Sequence, residues 1–388
     1  MPKIKVNLLL LIVIAIAFGI GCGFFMPDWA ARVFLTFNAI FAQFLGFMIP
    51  LIILGFVAPA IAHIGRSAGL MLVVTVVVAY LFTSMSGFFA FGVGEWIFPS
   101  LVEPRQLVDA PSAIALTPYF TVEMPPLMSV MTALVFAFVM GICMAYLTSG
   151  ALRKGFNEFR DCVQLTIMKA IIPLLPIYIF GIFLKMTMEG EVVSVLGAFA
   201  GIIGVIFAMH IVLLLFQYAV AALFARRNPF KMLLTMMPAY FTALGTQSSA
   251  ATIPVTLRQT VKTGVKEDIA GFVVPLCATI HMSGSAMKIV ACALAVMIME
   301  GMAWSTGMFA GFIMMLGITI VAAPGVPGGA IMASLGLLAS ILGFNADQQS
   351  LMIALYITMD SFGTACNVTG DGAIAQIIQA IFRRKKVR

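Results

Sequence analysis

Long apolar runs separated by short polar interruptions divide this chain into its elements. The first run, Val6 to Phe25, ends at Met26-Pro-Asp28, and a second extends from about Val33 to Ile64. A helix needs about 20 apolar residues to cross a bilayer, so the second run is long enough to imply tilt. A third, about Gly69 to Phe98, carries a polar notch at Tyr80, Thr83 and Ser84. Pro99 to Thr117, with Glu103, Arg105, Asp109 and several prolines, reads as an external loop. Further spans follow at about Val122–Leu147, Asn157–Met186 and Val192–Phe224, with Pro173 and Pro176 predicting a kink.

Beyond Phe224 the pattern changes. The apolar stretch Met232–Val261 is interrupted by Gly245-Thr-Gln-Ser-Ser249 through Pro254, and neither arm is long enough to cross alone. Broken backbone at membrane depth is tolerated only where it lines a cavity or is buried in protein. A re-entrant hairpin at about 229–262 is therefore expected, entered from the cytoplasmic side because both its ends are basic. A span at about Asp268–Met299 is broken at Thr279-Ile-His-Met-Ser-Gly-Ser285. A second hairpin, about 304–343, is broken at Ala323-Pro-Gly-Val-Pro-Gly-Gly329 and lacks basic flanks, so it is expected to enter from outside. A last span closes the chain. The expected fold is an all-α polytopic membrane protein with eight transmembrane helices and two re-entrant hairpins arranged as inverted repeats. That layout belongs to secondary transporters with a site near the midplane.

Composition agrees with this class. Apolar residues make up 62% of the 388 and charged residues 10%, which no soluble domain buries. The net charge of +7 reflects orientation and not nucleic-acid binding. Lys3 and Lys5, Arg66, Arg153 to Arg160, Arg226 to Lys231, Arg258 to Lys266 and the tail Arg383 to Arg388 alternate with loops holding only Arg32, Arg105 and Lys185. By the positive-inside rule both termini are cytoplasmic, in a multi-pass protein of the cell (inner) membrane. The basic tail, 383–388, also suits anionic lipid. The first run lacks a small-residue cleavage site and reads as a span, not a signal peptide. Six scattered cysteines form no metal-like spacing.

The candidate chemistry lies in the last span, in Asp360-Ser-Phe-Gly-Thr-Ala-Cys-Asn-Val-Thr-Gly-Asp371. At about 100° per residue, Thr364, Asn367 and Asp371 share one helix face within roughly 60°, and Asp360 begins the stripe one turn earlier. Carboxylates at membrane depth cost several kcal/mol unless met by a partner, an ion or water. The expectation is that cargo and a companion cation neutralise them. A buried polar seam between helices is the plainer reading, but one or two hydroxyls would suffice for that.

Taken together, these motifs resemble the dicarboxylate/amino acid:cation symporter family, with its glutamate-transporter-like fold. Asn367-Val-Thr-Gly-Asp371 is similar to that family's final-helix signature, Ser248-Ser249 through Pro254 to the first hairpin tip, and Gly325-Val-Pro-Gly328 to the second. The polar notch of the third span matches as well. The resemblance implies a homotrimer in which residues 1–68 and 99–190 form a scaffold. Residues 69–98 and 191–382 would form a transport domain that moves as an elevator, with the second hairpin as external gate. It implies that Asp360 binds a substrate's α-ammonium and Asn367 its α-carboxylate, together with backbone N–H groups near Ser249. Thr364 would face the side chain, with Gln247, Ser248, Val326, Gly328 and Gly363 around it. Asp371, with backbone oxygens of Asn367 and of the span break at Thr279 and His281, would make one sodium site. A second would lie between the span break and backbone oxygens near Ala323, and a third would use Tyr80, Thr83, Ser84 and the residue at position 283.

The departures are informative. Members that carry acidic substrates have an arginine where this chain has Gly363, or at Gln247, so a small neutral amino acid such as serine, threonine or alanine is favoured. Lys288, one turn past the span break, leaves a second reading open: it swings toward the place of the missing arginine, and the substrate is an acidic amino acid or dicarboxylate. Equally, it simply pairs with Asp360, Asp371 or a helix-end carbonyl. The aspartate of the third sodium site is Ser283 here, so fewer than three sodium ions are expected. His281 is a histidine near an expected ion pathway, a residue type able to take a proton in place of a sodium, although a neutral imidazole bonded within the core is preferred. His63 and His210 read as structural. A channel-like anion conductance is the alternative class. No nucleotide-binding loop and no catalytic motif is present, so neither ATP nor enzymatic chemistry is expected.

Overall fold

A computed structural model describes residues 8–66, 70–102, 116–190, 192–321, 323 and 328–385. Lys3, Lys5, Glu103, Arg105, Asp109, Val326, the last three residues of the basic tail and the side chains of His63, Arg383, Arg384 and Lys385 lie outside the described residues. Regular structure within them is helical, with no strand among the described residues.

The first half holds α1 (Leu8–Gly23), α2 (Asp28–Arg66), α3 (Leu70–Ile97), α4 (Val130–Tyr146), α5 (Ala151–Thr166), α6 (Ile172–Met188) and α7 (Val192–Ala225). A π-helical turn at Ile167–Ile171 joins α5 to α6, immediately before Pro173. Proline offers no N–H to the ladder, and the expected kink is represented here by the widened turn alone. The span expected from Val122 instead starts at Val130. Pro125 and Pro126 interrupt the apolar run, and the Ser129 hydroxyl caps the helix by accepting from the Thr132 N–H at 3.2 Å.

The second half consists of interrupted pairs. Helices α8 (Pro229–Thr246) and α9 (Ser249–Lys262) pack on each other across Gln247-Ser248. Gln247 takes a left-handed conformation, φ 53°, and Ser248 caps α9. Helices α10 (Glu267–Ile280) and α11 (Ser283–Met299) are broken at His281-Met282, as the sequence predicts. Helices α12 (Thr306–Val321) and α13 (Gly329–Ser340) also pack on each other, and Gly328 at φ 75° precedes α13. The last predicted span is two helices, α14 (Ala346–Thr358) and α15 (Asp360–Lys385), bent by 61° at Met359.

Five stretches among the described residues are long and apolar enough to cross a membrane: in α2, in α3, along α5–α6, in α7 and along α10–α11. The bent α14–α15 pair makes a sixth. Helices α1 and α4, two of the eight predicted spans, are shorter apolar helices, as are α12 and α13.

Helix α11 is buried over all 17 of its residues, against α3, α7, α14 and α15. In turn α15 packs on α7, α8, α9 and α10, while α1 packs chiefly on α6, and α2 on α4, α5 and α6. Large apolar side chains such as Phe18, Leu81, Ile211 and Leu223 face outward, as lipid contact requires and water does not. Close approach of α1 to α6 depends on Gly19, where a Cβ would come to 2.7 Å from the Phe180 carbonyl oxygen. Gly19→Leu is expected to destabilise the detergent-solubilised protein by about 1–3 kcal/mol, read as a lowered thermal midpoint. Gly21→Leu, with nothing within 4 Å of its Cβ position, should leave the midpoint unchanged.

Candidate functional site

Two helix breaks meet in the interior. The start of α11 lies against α15, and the close approach depends on Gly284: a Cβ there would come to 2.7 Å from Gly363 O and 2.8 Å from Cys366 Cβ. The exposed N–H groups at the head of α11 are capped from across the contact. Asn367 Oδ1 accepts from Gly284 N at 2.8 Å and from Ser285 N at 3.4 Å, and Asn367 Nδ2 donates to Ser285 Oγ at 3.1 Å. The break also anchors on α3: Met282 N donates to Thr83 Oγ1 at 3.3 Å, and Ser86 Oγ donates to Ser283 O at 2.7 Å.

Two ionisable nodes flank this contact. At the first, Lys288 Nζ, fully buried, lies 3.4 Å from Asp360 Oδ1 and donates to the Met359 carbonyl at 3.2 Å. Its ammonium sits 3.8 Å over the centre of the Tyr356 ring. Asp360 Oδ2 accepts from Gly328 N at 2.8 Å, so the head of α13 is bound to the same carboxylate. Lys288 fills the space that Gly363 leaves open, where a Cβ would lie 2.6 Å from Nζ.

At the second node, His281 Nδ1 donates to Asp371 Oδ1 at 2.9 Å, with both side chains buried. Gln217 Nε2 lies 3.4 Å from His281 Nε2 and donates to Ser283 Oγ at 3.0 Å, which leaves Gln217 Oε1 buried without a partner. Turned end for end, the same amide would accept from the Ser283 hydroxyl and from a ring N–H. The node therefore suits either protonation state of the imidazole.

The other predicted residues divide into those near these nodes and those apart. Thr364 is buried one residue after Gly363. Tyr80 donates to the Met314 carbonyl of α12 at 3.2 Å, and Ser84 Oγ is buried without a partner. Ala323 is buried, with its N–H on the Ile320 carbonyl. Thr279 is exposed, and its hydroxyl is spent on the Leu276 carbonyl. Among the described residues, the hydrogen bonds of Thr246, Gln247 and Ser248 stay within their own hairpin. His210, read as structural, places Nε2 3.3 Å from Gly284 O. Gln217, Ser86, Ser285 and Tyr356 were not singled out from sequence. Gln217 and Tyr356 are polar groups in apolar runs, while Ser86 and Ser285 adjoin the polar notch and the span break.

Each of the two acids has a partner within the chain: Lys288 for Asp360, one of the two readings of that lysine, and His281 for Asp371. The cavities found nearby, about 420 Å³ between α2, α6 and α14 and about 330 Å³ beside His210 and Phe362, are lined by neither Asp360 nor Asp371.

Membrane-length helices with ionisable groups buried at their breaks define a polytopic membrane protein. The chain belongs to the sodium:dicarboxylate symporter family, whose profile matches residues 8–381. It is similar to excitatory amino acid transporter 2 of Homo sapiens, 32% identical over 178 residues, covering 46% of this chain and 30% of that protein. Neutral amino acid transporter B(0) of Rattus norvegicus is 29% identical over 278 residues, covering 67% of this chain and 47% of its own length. Excitatory amino acid transporter 4 of Mus musculus is 27% identical over 259 residues, covering 64% and 45%. The chain thus spans about half the length, or less, of these curated relatives.

Removing one partner of a buried pair strands the other, at a cost of about 3–5 kcal/mol. In sodium-free buffer His281→Leu should lower the thermal midpoint accordingly, and adding Asp371→Asn should recover most of the loss. Equal midpoints for the single and double variants would show that Asp371 does not depend on the imidazole.

Proposed function

We propose that the protein is a secondary active transporter that carries a small neutral amino acid such as serine, threonine or alanine together with sodium. The observation that carries this reading is the charge balance of the interior. Among the described residues the buried ionised groups of the site are Lys288, Asp360 and Asp371, accompanied by the imidazoles of His281 and His210. With both imidazoles neutral, Lys288 offsets Asp360 and Asp371 keeps one uncompensated negative charge. A zwitterionic substrate leaves that deficit at one, to be met by one sodium ion or, alternatively, by a proton on His281. A dicarboxylate raises it to three, and the resemblance gives Ser283 where a third cation site needs an aspartate.

In this reading Asp360 takes the substrate's ammonium. Asn367 and the N–H groups near Ser249 take its carboxylate, and Gly363 and Thr364 leave room for a short side chain. The packing of α1, α2, α4, α5 and α6 chiefly among themselves supports residues 1–68 and 99–190 as a scaffold. The packing of α3, α7 and α12–α15 on α11, and of α8–α10 on α15, supports 69–98 and 191–382 as the moving domain of an elevator. The α8–α9 and α12–α13 pairs are the two re-entrant hairpins, completing eight spans in a homotrimer of the cell membrane with cytoplasmic termini. A second reading has its own support: the Lys288 ammonium does occupy the space at Gly363, where it suits the side-chain carboxylate of an acidic substrate.

In proteoliposomes, labelled serine or alanine should accumulate against its gradient and stop when sodium and proton gradients collapse; simple equilibration would indicate a channel. Asp360→Ala should abolish uptake, and Asp371→Asn should weaken its sodium dependence. Wild-type-like uptake by Asp360→Ala rules out the amine-binding role. Loss of aspartate or succinate binding in Lys288→Met, with no neutral amino acid bound by the parent, favours the second reading.

A further inference from the structure

A primary ammonium in an apolar interior is held by a carboxylate, by carbonyl oxygens at a helix end or by an aromatic face. The α14–α15 break assembles all three. Asp360 Oδ1 lies 3.4 Å from Lys288 Nζ, the Met359 carbonyl 3.2 Å, and the Tyr356 ring centre 3.8 Å. Together they form a receptor for an alkylammonium group, and the chain's own side chain fills it. The stem of Lys288 reaches the receptor only because Gly363 has no side chain in its path. With Gly328 N on the other oxygen at 2.8 Å, Asp360 is satisfied with no cargo present.

We propose that Lys288 is a tethered surrogate for the substrate's ammonium. It holds the amine subsite on Asp360 in the empty carrier and yields it to the incoming amino acid. The inference rests on the reading of Asp360 as the amine-binding residue. An amino acid brings both charges that such a swap requires: its ammonium replaces Lys288 on Asp360, and its carboxylate meets the displaced lysine. At the Asp360 subsite one buried ion pair becomes two, and no charge there is left alone at either stage. A lysine suits this role because its flexible four-carbon stem carries a compact charge that can pivot, whereas a guanidinium is a rigid planar fork.

The consequence is kinetic. A carrier whose empty site exposes a bare carboxylate to the apolar interior resists moving unloaded, and is confined to exchanging one substrate for another. A carrier that neutralises its amine subsite lacks that barrier there, and with Asp371 held by His281 it can return empty and sustain net uptake.

The test compares two modes in proteoliposomes made with the full chain. Net uptake is measured into vesicles without internal amino acid, and exchange into vesicles preloaded with the same amino acid. The wild type is expected to show net uptake at a rate comparable to exchange. Lys288→Met should lower the ratio of net uptake to exchange by tenfold or more, whatever it does to the absolute rates, and Lys288→Arg should lower it less. If Lys288→Met does not fold, the wild type still decides, because a wild type that takes up amino acid only when preloaded overturns the inference. An unchanged ratio in Lys288→Met overturns it as well. No serine, threonine or alanine transport in either mode overturns the underlying functional reading and this inference with it; robust exchange without net uptake overturns this inference alone.

Discussion

A carboxylate cannot stay ionised inside an apolar helical protein without something to meet its charge, and Asp360 and Asp371 impose that condition on everything around them. Each lies where a helix has been interrupted or where an interruption faces it, because an interruption frees the backbone groups that an intact helix keeps for itself. The Met359 carbonyl, at the junction of α14 and α15, accepts from Phe362 N and Gly363 N and from Lys288 as well. The head of α11 is available to Asn367 because the helix begins there. The broken backbone and the buried charges are thus one feature: either without the other would leave polar groups unsatisfied at a depth where water does not help.

The two nodes differ in kind. Lys288 brings a full positive charge to Asp360, so that node is balanced as it stands. His281 brings a hydrogen bond to Asp371, and a neutral ring leaves the negative charge in place. One node is therefore suited to a swap of like for like, and the other to taking on a cation. They are joined through α11, which starts between them and is buried over its full length. Movement of that helix head against α15 would be felt at both. Coupling of this kind is reciprocal: whatever the cation does for substrate affinity, the substrate does for the cation.

Much of this was legible in the sequence because glycine, serine and proline mark helix breaks directly. The interruptions at Gln247-Ser248 and His281-Met282 announce themselves in this way, and the stripe of Thr364, Asn367 and Asp371 follows from helical spacing. The break at Met359 does not. Thr358-Met359-Asp360 contains no helix breaker, and the groups that meet it at the bend, Lys288 and Gly328, are far away in sequence. The late start of α4 shows the opposite failure, since Pro125 and Pro126 were visible but lay within an apolar run that read as continuous. Gln217 is not legible because a single polar residue in a span has no spacing to interpret until its partner is known. The pairing of Lys288 with Asp360 was foreseen as one of two alternatives, and its position over Gly363 keeps elements of both.

The account is tested most directly by the charge carried per amino acid, measured from current and labelled uptake in the same proteoliposomes. Asp371 as the single uncompensated charge predicts one positive charge moved inward with each neutral amino acid, by sodium or by a proton. Electroneutral transport, or two or more charges per amino acid, would contradict it.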